Sequence, residues 1–285
     1  VKILKLAENL GFAGGCNKGI EHAQGEYICI LNNDTIHRTD WLNHLVNYLD
    51  KHPETASVMP KILSWHHKEM FDYSGGSGGY LDKYAYPFVR GRLFEELEKD
   101  DGQYDSNENV FWCSGTAFII RKSVLDEISY FDESFFAHME EIDMHWRLHL
   151  AGYRAAVVPG AVIEHMSGWT LPPDRYQKKY LNHRNNLIMM LANYSPGSLL
   201  KLFPIRLILE IVSAFYALFK GDYKRFAAVF ASQFYILFHI PYIINKHQRH
   251  QKLRKISDTK IKSFLYPKAL VFQHYIKGKK KFSDL

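Results

Sequence analysis

Short apolar runs alternate with amphipathic stretches along the first part of the chain, and that alternation predicts an α/β domain. Strands are expected at Tyr27–Leu31, 56–60, Ala117–Arg121 and 155–158, and helices at 18–23, Trp41–Lys51, 123–128 and 140–151. The order of these elements implies a mainly parallel central sheet with ligands at the carboxyl ends of its strands. Residues 64–110 break the pattern: Ser74-Gly-Gly-Ser-Gly-Gly79 and a mixed aromatic and acidic run read as a long loop that helps to shape a site. Beyond residue 195 the character changes. Two strongly apolar segments, 199–219 and 226–244, flank Lys220-Gly-Asp-Tyr-Lys-Arg225, and the second has 19 residues without a formal charge.

Charge sharpens that division. From Lys246 to Leu285 there are 12 Lys and Arg against 2 acids, whereas the rest of the chain is slightly acidic. Helices lying in a membrane interface, with the basic tail on anionic lipid, are the favoured reading. A spanning hairpin and a helical appendage packed on the first domain are the alternatives. No nucleic-acid-binding motif surrounds the basic tail, so nucleic acid is not an expected partner. Cys16, Cys29 and Cys113 are widely spaced and form no Cys-x-x-Cys pair, giving neither a disulfide framework nor a zinc site. Cys29, within an apolar strand, reads as a small core residue.

The candidate chemistry lies in three blocks. Ile28-Cys-Ile-Leu-Asn-Asn-Asp-Thr35 carries an apolar strand into a polar turn ending at Asp34, where a carboxylate on a rigid strand end can hold a cation against a diphosphate. Asn32, Asn33 and Asp34 also suit an ordinary turn. Upstream, Gly11, Gly14, Gly15 and Gly19 permit close backbone approach to a ligand, and Asn17 suits the start of a helix. Their spacing does not match a dinucleotide fingerprint. Downstream, Glu140, Asp143 and Arg147 share one helical face, with Glu141 turned elsewhere near the helix start. Solvated acids with an internal Asp143–Arg147 pair are the plainer reading of that helix.

Together the blocks resemble a known family. Asn9-Leu-Gly-Phe-Ala-Gly-Gly-Cys-Asn-Lys-Gly19, then Ala23-Gln-Gly-Glu-Tyr27, then Leu31-Asn-Asn-Asp-Thr35, are similar to the core of the inverting family 2 glycosyltransferases, in particular the rhamnosyltransferase-like branch. Phe135-Phe-Ala-His-Met-Glu-Glu-Ile-Asp-Met-His-Trp-Arg147, His165 and His183-Arg-Asn-Asn186 extend the resemblance to about residue 195. It implies a GT-A-like nucleotide-sugar-binding fold over 1–195, with a helical, membrane-associating region over 196–285. Members open with further strands, so Val1–Leu6 resembles a third strand and the sequence resembles an N-terminally incomplete domain.

The implied activity is a metal-dependent inverting transfer of a sugar from a nucleotide-diphosphate donor to a glycan or lipid-linked acceptor, at the cytoplasmic face of the cell membrane. Glu141 stands where the family has the Asp general base, one methylene longer. Asp34 and His165 would hold Mn2+ or Mg2+. Asn9, Gly11, Gly15, Asn17, Asn32 and Asn33 would face the donor; Trp112, Ser114, Gly115, Glu140 and Trp169 would line the acceptor or sugar pocket. The alternatives are a non-catalytic membrane-bound module that binds a nucleotide sugar or a partner and, more weakly, a nucleotidyltransferase.

Overall fold

The computed structural model describes residues 2–166 and 175–285. The first half comprises α1 (Gly11–His22), β1 (Tyr27–Leu31), β2 (Thr35–His37), α2 (Trp41–Lys51) and β3 (Thr55–Ser64). A small meander follows, β4 (Gly79–Leu81), β5 (Pro87–Val89), β6 (Arg92–Leu93) and β7 (Glu96–Leu97). Next come β8 (Glu108–Val110), β9 (Ala117–Arg121), α3 (Lys122–Ile128), α4 (Glu140–Leu150) and β10 (Arg154–His165). Helices complete the chain: α5 (Tyr176–Asn193), α6 (Pro196–Phe219), α7 (Tyr223–Phe238), α8 (Ile240–Lys252), α9 (Asp258–Lys262) and α10 (Leu270–Tyr275).

Hydrophobic spacing accounts for much of this. Trp41, Leu45 and Leu49 recur every four residues and bury one stripe of α2, whereas β3 is buried along nearly its whole length, as a central strand must be. The six-stranded sheet runs β1-β9-β3-β10-β2, with β8 also on β10. It is mixed rather than mainly parallel: among the described residues only β3 and β10 pair in parallel. The reason is β9, which enters between β1 and β3 in the opposite direction. Its first residue, Ala117, pairs with the last of β1, Leu31, so the 113–116 loop lands on the carboxyl end of β1. His165, the last residue of β10, pairs with Ser64 and Thr35 at the same sheet edge.

Four other expectations change. Residues 2–6 form no strand and are exposed. α1 begins at Gly11, so Asn17 lies inside the helix rather than at its start. The 64–110 segment contains the second, four-stranded sheet, onto which the chain's end folds: Asp82 accepts the Leu270 N–H and Glu98 that of Phe282. Cys29 faces outward from the edge strand β1 and is not a core residue.

The C-terminal helices share a core with the first domain. Phe111, Ile142 and Trp146 pack in one cluster with Met190, Tyr194, Ile261 and Leu265. α6 is long and apolar enough to cross a membrane, and α7 with α8 meets the same test as a pair bent by 78°. Two charges of α6 point inward: Arg206 donates to Glu210 at 3.0 Å and to the Tyr84 carbonyl at 2.7 Å, and its guanidinium lies over the Tyr86 ring, whereas Lys201 is exposed. Val212, Phe215 and Phe219 face outward.

Candidate active site

Asp34, on the turn after β1, and His165, at the end of β10, come together with Oδ1 and Nε2 3.1 Å apart. A third group, absent from the sequence reading, orients them. Asp72 is buried and its Oδ1 lies 3.0 Å from His165 Nδ1, which turns Nε2 toward Asp34. No motif marks Asp72 in the sequence; the fold carries it to the sheet edge from the segment before the glycine run. Burial alone would lower the His165 pKa, but the Asp72 and Asp34 carboxylates raise it above its ordinary value. The Asn32 amide Nδ2 lies 3.5 Å from the same Nε2.

This pair suits a divalent cation in its chemistry. A carboxylate oxygen and an imidazole nitrogen 3.1 Å apart match neighbouring corners of an octahedral site with bonds of about 2.1 Å. Among the described residues no cluster of three or more His, Cys, Asp or Glu is assembled to hold a metal, so other ligands would come from the substrate or water.

The second half of the site is the start of α4. Phe136, His138 and Met139 all have positive φ, between 62° and 73°, immediately before Glu140. Such a run is costly for non-glycine residues and persists only where the surroundings hold it. Asn185 of α5 does so, its Nδ2 donating to the carbonyls of Phe135, Ala137 and His138 at 2.8–3.0 Å. Gly11 completes the clamp: at φ +71° it lets the Phe12 N–H reach the Phe136 carbonyl at 2.8 Å, where a Cβ would stand 2.4 Å from that oxygen.

The strained turn presents two carboxylates. Burial pushes Glu141 up to about 7, against the pull of the Glu141, Ile142 and Gly115 backbone N–H groups. Glu140 is raised well above its ordinary value, by burial and then by Glu141 beside it. Each has a buried Oε2 with no hydrogen-bond partner among the described residues, as does His138 at Nε2. Three unpartnered polar atoms thus fall within four residues of sequence, which marks this segment as a candidate site. Glu140, expected in the pocket, is buried and faces Cys16 of α1, whose thiol is pushed up to about 12 by burial and then by Glu140.

Ser114–Thr116 joins the two halves. The Asn32 N–H donates to the Thr116 carbonyl at 2.9 Å, and Gly115 lies against Glu141. Ser114, expected in the pocket, is buried, its hydroxyl donating to the Ser74 carbonyl and accepting the Thr116 N–H. It shapes the loop. Asn33 is exposed on the turn, and Gly15 faces open space on α1.

Several expected ligands have structural roles instead. Asn17 is buried, exchanges hydrogen bonds with the Phe131 backbone and donates to Glu133, so its amide ties α1 to the loop before α4. Asn9 accepts the Gly11 N–H at the start of α1, and Gly11 itself docks on Phe136. Trp112 is core, its indole N–H on the Tyr80 carbonyl and its ring under Gly79, where a Cβ would lie 2.2 Å away. Trp169 lies outside the described residues.

The model of glycosyl transferase family 2 matches residues 1–129. Residues 1–129 are thus similar to that family, and residues 130–285 lie outside the match. Rhamnosyltransferase WbbL of Escherichia coli (strain K12) is 29% identical over 137 residues, 48% of this chain and 51% of that protein. N-acetylglucosaminyl-diphospho-decaprenol L-rhamnosyltransferase of Mycobacterium tuberculosis (strain ATCC 25618 / H37Rv) is 29% identical over 90 residues, 32% of this chain and 29% of that one. The match thus spans about half the length of the first relative and under a third of the second. Among solved structures, GalNAc-T7 with UDP, GalNAc and Mn2+ aligns with a TM-score of 0.53 at 13% identity, over 70% of this chain and 37% of that one. The fold is GT-A-like, and the glycine block and Asp34 lie inside the family match while Glu141 and His165 lie beyond it.

Proposed function

We propose that the chain is the working part of an inverting glycosyltransferase that moves a sugar from a nucleotide-diphosphate donor to a glycan or lipid-linked acceptor. The observation that carries this is Glu141: a carboxylate with a pKa near 7 and an unpartnered oxygen, on a strained turn beside the end of β1. Glu141 takes the proton of the acceptor hydroxyl as that oxygen attacks the anomeric carbon, and the diphosphate leaves from the opposite face with the bonding electron pair. One displacement inverts the centre and forms no covalent sugar–enzyme intermediate. Asp34 and His165 would hold Mn2+ or Mg2+, which would supply neutralising charge to the departing diphosphate. Asp72 holds the imidazole in position, and Asn185 holds the turn that aims Glu141.

A lipid-linked acceptor at the cytoplasmic face of the membrane is supported by the outward apolar face of α6 and the basic tail, and by a relative named for a diphospho-decaprenol acceptor. A rhamnosyl donor is supported by both rhamnosyltransferase relatives. The test is transfer from a panel of nucleotide sugars with Mn2+ or Mg2+, for the parent protein, Asp34→Ala and Glu141→Gln. Turnover of one donor, abolished by both substitutions while Glu141→Gln still binds it, supports the reading. Donor binding without transfer to any acceptor supports the non-catalytic module instead.

A further inference from the structure

A groove of about 410 Å3 opens between α5, α6, α7 and α8, in the size range of small-molecule sites. Leu187, Leu191, Phe203, Leu207, Ile236 and Ile243 give it hydrocarbon walls. One polar residue interrupts them. Gln233 has a buried Nε2 with no acceptor among the described residues, a donor in search of an oxygen. The groove is open along its length, since Leu237, Ile240 and Ile244 both line it and remain about half exposed. That shape fits a chain lying in the wall of the protein better than a compact ligand enclosed by it.

A cation lies on α5, outside the lining itself. Arg184 precedes Leu187 and Leu191 by three and seven residues, on the same face of α5. Its Nη2 donates to the Ser134 carbonyl at 2.7 Å and its Nε to Asn185 Oδ1 at 2.9 Å, which leaves Nη1 without a protein acceptor among the described residues, and its guanidinium lies over Tyr180 and Tyr235, the latter the neighbour of the groove residue Ile236. Ser134 belongs to the loop that runs into the strained turn and Glu141. Arg184 therefore links the helix face that lines the groove to the segment that leads into α4 and the candidate base.

We propose that this groove binds the hydrocarbon chain of an isoprenoid lipid phosphate, with the phosphate at Arg184 and whatever the phosphate carries directed toward Glu141. The proposal deepens the lipid-linked form of the transferase reading and rests on it. Gln233 would donate to a phosphate oxygen or to a retained water. The bulk bilayer is a different occupant, and it would contact the outward face of α6, where Ile208 lies outside the groove lining.

The experiment measures geranylgeranyl phosphate and geranylgeraniol binding to the purified chain in detergent micelles. Ile236→Trp and Leu191→Trp, which fill the groove, should each weaken both lipids about tenfold or more. Arg184→Gln should weaken the phosphate and leave the alcohol within about twofold, because only the phosphate carries the charge that arginine reads. Ile208→Asn should leave both within about twofold. Equal losses from Ile208→Asn and the groove variants would mean adsorption on the outer face and overturn the proposal, as would no loss in either tryptophan variant. Should those variants misfold, a benzophenone-tailed isoprenoid phosphate decides: labelling of α5–α8 supports the groove, and labelling elsewhere rejects it. Groove-dependent binding without any sugar transfer would retain this inference and sink the transferase reading. Transfer to a soluble sugar without lipid binding would do the reverse.

Discussion

α4 and α6 each bury an arginine and an acid one turn apart, Asp143 with Arg147 at 3.1 Å and Arg206 with Glu210 at 3.0 Å. The surroundings differ. α4 is buried along nearly all its length, and Arg147 spends its other N–H groups on the carbonyls of Ile128, Ser129 and Tyr130 while Asn193 donates to Asp143. α6 turns its one ion pair toward Tyr84, Tyr86 and His183 and leaves hydrocarbon outside, with Phe215 55% and Phe219 86% exposed. The same two-residue pattern thus anchors the helix that carries a candidate base in one case. In the other it anchors an inside-out helix to the first domain. An ion pair reports that a helix face is inward; only the rest of the helix says what lies outward.

The sharpest way to break the comparison is at the base. Glu141→Gln should cut transfer about 10²- to 10⁴-fold with thermal stability nearly unchanged, measured as initial rate and Tm. A variant that keeps its rate removes Glu141 from the chemistry. The opposite profile is expected on α6. Arg206→Met leaves the buried Glu210 with His183 but without its arginine and should cost about 3–5 kcal/mol in denaturant unfolding, whereas Arg206→Met with Glu210→Leu should recover most of that loss. If the double substitution is as damaging as the single one, the pair does more than join two surfaces.

Asn185→Ala should be milder on stability, about 1–3 kcal/mol, because it leaves three carbonyls of the strained turn without their donor. It should also lower transfer while donor affinity stays close to parental. The acids of α4 should separate by pH. Glu141 must lose its proton to act, so the rate should rise as pH passes about 7. Because the folded state holds that proton above the ordinary value of 4.5, this group's contribution to stability should decline between about pH 4.5 and 7. Asp143 runs the other way. Burial would raise it, but Lys246 and then His250 and Arg147 beside it, with Asn193, bring it down to about 2, so its contribution is present above 3.8 and lost as pH falls toward 2. A pH–rate profile and pH-dependent unfolding read the two. The smallest effect on the fold should come from Phe215→Ser: little change in Tm, with weaker partition onto anionic vesicles by about 1.5–3 kcal/mol.

Local pattern was enough for much of the scaffold. Tyr27–Leu31, Trp41–Lys51 and Ala117–Arg121 have the boundaries that their apolar spacing predicts, because each buries a face of its own. Strand direction was not legible. β9 is as apolar as a parallel core strand, and nothing in Ala-Phe-Ile-Ile-Arg records that it runs between two strands of the opposite sense. The small sheet over 79–97 was hidden by its two- and three-residue strands, too short to show a period. Asn17 and Trp112 have residue types that suit ligand binding. The structure spends that chemistry on backbone groups, since a buried amide or indole N–H must find a partner.

By itself the sequence determined the elements with strong periods, the family blocks, Asp34 at a strand end, the acidic start of α4 and the division between an acidic first region and an apolar, basic second one. Each is a local property, set by what neighbouring residues prefer. Tertiary structure alone decided that Asp72 orients His165, that Asn185 holds three positive-φ residues in front of Glu141, and that Arg206 and Glu210 of α6 face inward. Those outcomes depend on which buried polar groups meet across tens or hundreds of residues. A hydrogen bond that must be satisfied on burial specifies that a partner exists, and only the packed chain specifies which one.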